Sequence, residues 1–249
     1  MRRAFHAACA AFQFLTRIPA GSLPWSEDLL GRSAAFFPVV GLVVGGGAAL
    51  VDWLCRPRVN DSLRAVAVLI FLVAITGGLH EDALADVADG LGVRRTREQA
   101  LAIMRDSRIG SFGATALGLA LLARYALIAA LPPARAAATL ITAHVLCRWT
   151  SLPLAAYLPP ARGNDGQGAS FGLHVPRSSV LLGTLLAAAL TAALLGKAFL
   201  LPLLVAAALV MLSGWYYRHR LGGITGDCLG AANQVTEIAI YAWAVLVHS

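Results

Sequence analysis

The chain has 249 residues, 58% of them hydrophobic and only 13% charged, with a formal net charge of +7. Soluble domains carry about 25% charged residues, so a soluble globular enzyme is excluded and a polytopic membrane protein is expected. The positive charge sits mostly on loop arginines, which report topology and contact with anionic lipid rather than nucleic-acid binding.

The first nineteen residues have a basic start and a short apolar run. His6 and Gln13 interrupt that run, and it ends in Thr16-Arg17 without a small-residue cleavage site. We therefore expect an interfacial helix rather than a signal peptide, with Phe5, Phe12, Phe14 and Leu15 dipping into lipid. A membrane span needs roughly 17 to 25 mostly apolar residues. Seven stretches qualify: Ala34–Leu54, Leu63–Leu79, Ser111–Leu131, Ala136–Leu158, Ser179–Leu195, Ala198–Tyr217 and Leu229–Val247. Breakers separate them, among them Arg56-Pro57-Arg58, Pro132-Pro133, and Pro159-Pro160 with Gly163–Gly166. Only Gly196-Lys197 divides the fifth from the sixth. Glycines between Gly41 and Gly47 permit close helix packing. The expected fold is all-α: one membrane helical bundle over residues 1–249.

Basic residues set the orientation. The N-terminus and the loops at 77–113, 159–178 and 218–228 share one side, with thirteen basic residues against five on the other. That side is expected in the cytoplasm, which places a multi-pass protein in a bacterial inner membrane with its polar loops facing inward. Four scattered cysteines, Cys9, Cys55, Cys147 and Cys228, suggest neither a zinc site nor a disulfide framework.

Two polar segments, 77–113 and 218–230, are candidate catalytic motifs. Asp82, Asp86 and Asp89 fall at i, i+4 and i+7, on one narrow stripe of a helix. Three carboxylates so placed repel one another unless a cation sits among them. Oxygen clusters of this kind suit Mg²⁺, or Mn²⁺, with phosphate oxygens completing the shell; a solvated acidic face is the plainer alternative. Glu81 lies about 100° off the stripe. His80 either orients a phosphate or marks the helix entry. Arg105-Asp106-Ser107-Arg108 precedes Gly110 and Gly113. Its arginines fit a bidentate phosphate clamp, or equally the positive flank of the third span. Arg94, Arg95 and Arg97 are assigned to that flank or to anionic lipid. In the 218–230 segment, Asp227 stands as another metal or nucleophile-orienting carboxylate, or as the N-cap of the last span. Asn233 and Glu237 follow within that span. Ionisable groups at membrane depth are costly and are paired or functional; Arg148 is a candidate partner of Glu237, with pairing and site duty equally open for both, and Arg124 carries the same two readings more weakly.

The strings TGGLHEDALADVADGLG, IMRDSRIGSFG and LGGITGDCLGA, with the opening FQFLTRIP, together resemble the cobalamin synthase family, adenosylcobinamide-GDP ribazoletransferase. Ala83 departs from the glycine usual there. The resemblance implies the joining of α-ribazole, or its 5′-phosphate, to adenosylcobinamide-GDP. A ribazole hydroxyl attacks the phosphorus next to cobinamide and GMP leaves, assisted by magnesium. It makes Asp82, Asp86, Asp89 and Asp227 catalytic, the first three on metal. His80, Arg105, Asp106, Ser107, Arg108, Thr225, Asn233 and Glu237 would bind substrate. A homo-oligomer is compatible with all of this. Two other readings are weaker. A CDP-alcohol phosphotransferase needs D-G-x-x-A-R, and here Ala83 follows Asp82. A small-solute transporter would put polarity at the midplane in repeated halves, whereas this chain puts its densest polarity at one face.

Overall fold

A computed structural model describes residues 2–21, 26–162 and 175–248. The chain is a helical bundle, and no strand occurs among the described residues. In order the helices are α1 (Arg2–Leu15), α2 (Glu27–Ser33), α3 (Phe37–Cys55), α4 (Asp61–Thr76), α5 (Leu79–Leu91), α6 (Arg97–Ile103), α7 (Ser111–Ala130), α8 (Pro133–Tyr157), α9 (Arg177–Leu195), α10 (Leu200–Leu221) and α11 (Gly226–His248). The Gly163–Gly166 breaker lies outside the described residues.

Local chemistry sets the boundaries. Asn60 caps α4 by accepting the Leu63 N–H at 2.9 Å. Thr96 and Gln99 form a reciprocal capping box on α6. Gly77 and Gly78 both have positive φ, 69° and 74°, a conformation that glycine adopts without a Cβ penalty. They turn the chain by 87° between α4 and α5. Because α5 carries four carboxylates in 13 residues, we do not count it as a membrane-crossing segment.

α8 is the central post, packed by α3, α9, α10 and α11. Its contact with α3 depends on small residues, as expected: a Cβ on Gly41 would collide with the His144 carbonyl oxygen, and one on Gly45 would lie 2.6 Å from the Ile141 Cα. Among the described residues, three helical stretches are long and apolar enough to cross a membrane: Asp28–Cys55, Ser111–Ala130 and Arg177–Leu221. The last is two limbs. Gly183 of α9 sits against Leu152, and Gly214 of α10 against Leu154. A straight helix between those glycines would be about 46 Å long, far more than two neighbouring leucines span. The chain therefore reverses at Gly196, where φ is 56°. α8 and α11 have 25 and 23 residues but carry polar side chains in the bundle interior. The count of seven spans is thus not reached by length and apolarity alone. Leu119, Leu122, Leu181, Leu185, Leu204 and Met211 are exposed on α7, α9 and α10, the apolar exterior a lipid-facing bundle presents.

The N-terminal helix corrects one expectation. Phe5 is exposed, but Leu15 is buried and Phe14 stacks on Phe37 at 6.0 Å. The end of α1 docks on protein, and Arg17 N–H donates to the Ile75 carbonyl at 2.8 Å.

Candidate active site

The polar loops converge on one end of the bundle. Pro159–Ala161 and Ile224 exchange backbone hydrogen bonds, Ala161 N–H to Ile224 O at 2.8 Å and Ile224 N–H to Pro159 O at 2.9 Å. Arg97 donates to the Leu221 carbonyl at 2.6 Å and to the Ala161 carbonyl at 2.8 Å. Arg95 donates to the Asp89 carbonyl at 3.1 Å. Arg95 and Arg97, expected on the positive flank or on anionic lipid, thus also tie loops together. The two carbonyls that Arg97 holds lie far from it in sequence, which no local pattern reveals.

α5 lies in a trough between α7 and α11. Ala83 is buried against Gly230, where a Cβ on the glycine would collide with it. The extra methyl relative to glycine is thus accommodated by a glycine opposite. Along α5, Asp82 is exposed and Asp86 half-buried, and they share their surroundings with Asp227 and Arg162. Burial raises the Asp86 carboxyl to about 6, helped by the charges of Asp82, Asp227 and Asp89 and opposed by Arg162. Burial also raises Asp227, against the pull of Arg162. Asp227 accepts from Arg162 Nη2 at 3.0 Å and from the Thr225 hydroxyl at 3.3 Å. The structure thus brings Asp82, Asp86 and Asp227 into one negative field with the Arg162 guanidinium beside it. Arg162, read from sequence only as a topology signal, is the residue that reasoning missed. Nothing in its local pattern marks it.

Asp89 is placed differently. It is buried, and its two oxygens accept the N–H groups of Gly110 at 2.7 Å and Gly113 at 2.8 Å. It therefore holds the N-terminus of α7 as well as bordering the cluster. Thr225, not Asp227, caps α11: its hydroxyl accepts the Cys228 N–H at 3.3 Å. Arg108 is exposed and grips Asp106 in its own loop, at 2.6 Å for Nη2 to Oδ2. That pairing pulls the Asp106 carboxyl down to about 2. Arg105 and Ser107 are exposed beside it. The segment flanks Gly110 and hence the Asp89 end of the cluster, with Arg108 already engaged.

His80, Asn233 and Glu237 are buried deeper in the bundle, behind the carboxylates. Glu237 pairs with Arg124 Nε at 2.9 Å, and Arg124 Nη1 reaches Glu81 at 2.6 Å. Arg124 is thus the partner of Glu237, and the candidate pairing with Arg148 is not made. Arg148 turns to His144 instead, 2.9 Å from Nδ1. Glu81, off the aspartate stripe, pins α5 to α7 and α11 through this buried arginine. Asn233 donates to the Ser151 hydroxyl at 2.8 Å and the Leu229 carbonyl at 2.9 Å.

The chain matches the family model described as cobalamin-5-phosphate synthase over residues 7–246. It is 41% identical over 264 residues to an adenosylcobinamide-GDP ribazoletransferase of Polaromonas sp. (strain JS666 / ATCC BAA-500), covering 93% of each chain. It is 38% identical over 263 residues to one of Ralstonia nicotianae (strain ATCC BAA-1114 / GMI1000), covering 99% of this chain and 96% of the relative. To one of Roseiflexus sp. (strain RS-1) it is 35% identical over 237 residues, covering 95% and 88%. No solved structure matches. A match running along nearly the whole chain, motifs and spans alike, places this protein in the cobalamin-5-phosphate synthase family.

Proposed function

We propose that the chain is a membrane-embedded adenosylcobinamide-GDP ribazoletransferase of cobalamin biosynthesis. It joins α-ribazole, or α-ribazole 5′-phosphate, to adenosylcobinamide-GDP and releases GMP, with its active site on the cytoplasmic face of a bacterial inner membrane. The observation that carries the reading is the convergence of Asp82, Asp86 and Asp227 at the loop end of a bundle in this family. A hydroxyl-to-phosphorus transfer demands charge compensation at a diphosphate, and carboxylates so gathered are groups that would hold a dication to supply it.

Magnesium, or manganese in its place, fits the donor set. All donors are hard carboxylate oxygens, and a dication would offset the burial and the mutual repulsion that together raise Asp86. Asp82, Asp86 and Asp89 would hold it, and Asp227 is within the same field. Asp89 contributes with the lone pairs left over from its two N–H bonds. When bound, the ion supplies neutralisation of diphosphate charge and stabilisation of the leaving phosphate.

The chain's own groups do the rest. Asp227, held by Thr225 and Arg162, would position the ribazole hydroxyl and take its proton. Arg105 and Arg108 meet phosphate oxygens from the flank, Arg108 by exchanging Asp106 for phosphate. The buried Glu81–Arg124–Glu237 set keeps α5 in place beneath the reacting groups.

The test is GMP release by purified protein in nanodiscs, with adenosylcobinamide-GDP, α-ribazole 5′-phosphate and Mg²⁺. Asp82→Ala with Asp86→Ala should lower the rate about a thousandfold, the loss of several kcal/mol of charge stabilisation. Full activity in that double variant would sink the metal assignment. Failure of the wild-type protein to release GMP would sink the reaction itself.

A further inference from the structure

Behind the carboxylates, deeper in the bundle, lies a small cavity of about 10 Å³. Glu81, Arg124, Cys147, Arg148, Asn233 and Glu237 line much of it. Among the described residues, three polar atoms of this lining have no partner: Glu81 Oε2, Arg148 Nε and Asn233 Oδ1. Their residues are 8%, 2% and 3% exposed, so bulk water does not satisfy them. The orientation of Asn233 is fixed, because the Leu229 carbonyl only accepts and so must face Nδ2.

These atoms specify their ligand. Glu81 Oε2 and Asn233 Oδ1 need donors, and Arg148 Nε–H needs an acceptor. The ligand must donate twice and accept at least once. It must be uncharged, because Arg124 and Arg148 already offset Glu81 and Glu237. It must be no larger than one water, given the free volume. We propose that the cavity is an internal water site, whose water links α5 through Glu81 to α8 through Arg148 and to α11 through Asn233. Buried polar groups are costly when unpaired, so the water is retained as part of the fold. It fixes the first turn of α5, the turn that carries Asp82.

A metal ion is the rival occupant. His144, Cys147 and Glu237 offer ligand atoms within 4.8 Å of one another. However, Arg148 Nη1 already lies 2.9 Å from His144 Nδ1 and 3.4 Å from Cys147 Sγ. The other ring nitrogen, Nε2, is engaged too, 3.1 Å from the Tyr241 hydroxyl. Both imidazole nitrogens thus have partners, and a second cation beside the guanidinium is repelled.

Two cysteines make the test internal to the chain. Cys147 lines the cavity and Cys228 does not, yet they are 1% and 0% exposed. Radiolytic hydroxyl-radical footprinting in nanodiscs labels buried side chains that touch a bound water. Cys147 should be oxidised several-fold faster than Cys228. Asn233→Leu, which fills the cavity with methyl groups, should bring the two rates together. Equal rates in the wild-type protein overturn the proposal, as does a Cys147 excess that persists in folded Asn233→Leu. One zinc per chain by elemental analysis, shielding Cys147, also overturns it. If Asn233→Leu does not fold, the wild-type ratio decides alone. None of these readouts depends on GMP release, so the inference and the proposed reaction fail separately.

Discussion

Asp86 holds its proton up to about 6, against 3.8 for a free carboxyl, because it is partly buried among Asp82, Asp227 and Asp89. The sign of the consequence follows directly. A carboxyl raised in the folded state adds stability below its unfolded pKa, and that contribution is lost as pH rises through about 6. Metal-free protein in detergent should therefore melt higher at pH 5 than at pH 7, read by thermal shift. Asp86→Asn should flatten that dependence, and Mg²⁺ at pH 7 should recover the loss in wild type only. A second residue-scale expectation concerns Arg124. It is 1% exposed and bridges Glu81 and Glu237. Arg124→Leu strands two buried carboxylates and should cost about 3–5 kcal/mol, seen as a lower melting temperature or loss of folded protein. The aspartate stripe was legible from spacing alone. The arginine's role was not, because Arg124 and its partners Glu81 and Glu237 are far apart in sequence and meet only in three dimensions.

At the scale of elements, α3 and α8 meet over Gly41 and Gly45. Gly41→Leu drives a side chain into the backbone of α8, which cannot move aside as a side chain would. The expected cost is about 3 kcal/mol or more, checked by the yield of monodisperse protein. The α5–α7 joint is the second. Asp89→Ala removes the acceptor of two N–H groups at the start of α7. It should destabilise by about 2–4 kcal/mol even without metal, whereas a pure metal ligand would affect only the metal-bound protein. Comparing melting curves with and without Mg²⁺ separates the two duties. The helices themselves could be read from apolar runs and glycine or proline breakers. The 87° turn at Gly77-Gly78 could not, since two glycines permit a sharp bend but do not fix its direction.

Across the whole molecule, the loops at 77–113, 159–162 and 218–230 form one face, tied by Arg97 and by the Pro159–Ile224 pairing. If that face is cytoplasmic, a single cysteine at Arg108 in a background lacking native cysteines should react with a membrane-impermeant maleimide only in inside-out vesicles. Reaction in right-side-out vesicles would reverse the topology and place the substrates outside. The sequence by itself determined the all-α membrane bundle, the convergence of its polar loops and the carboxylate-bearing helix. Those follow from composition, apolar run length and residue spacing, which are local or additive properties of the chain. Only the tertiary structure decided that Arg162 joins Asp227, that Arg124 rather than Arg148 neutralises Glu237, that Asp89 also holds a helix end, and that a polar cavity lies behind the site. Each of these depends on which side chains meet after distant helices pack, and pairing across that distance leaves no periodic trace in the chain.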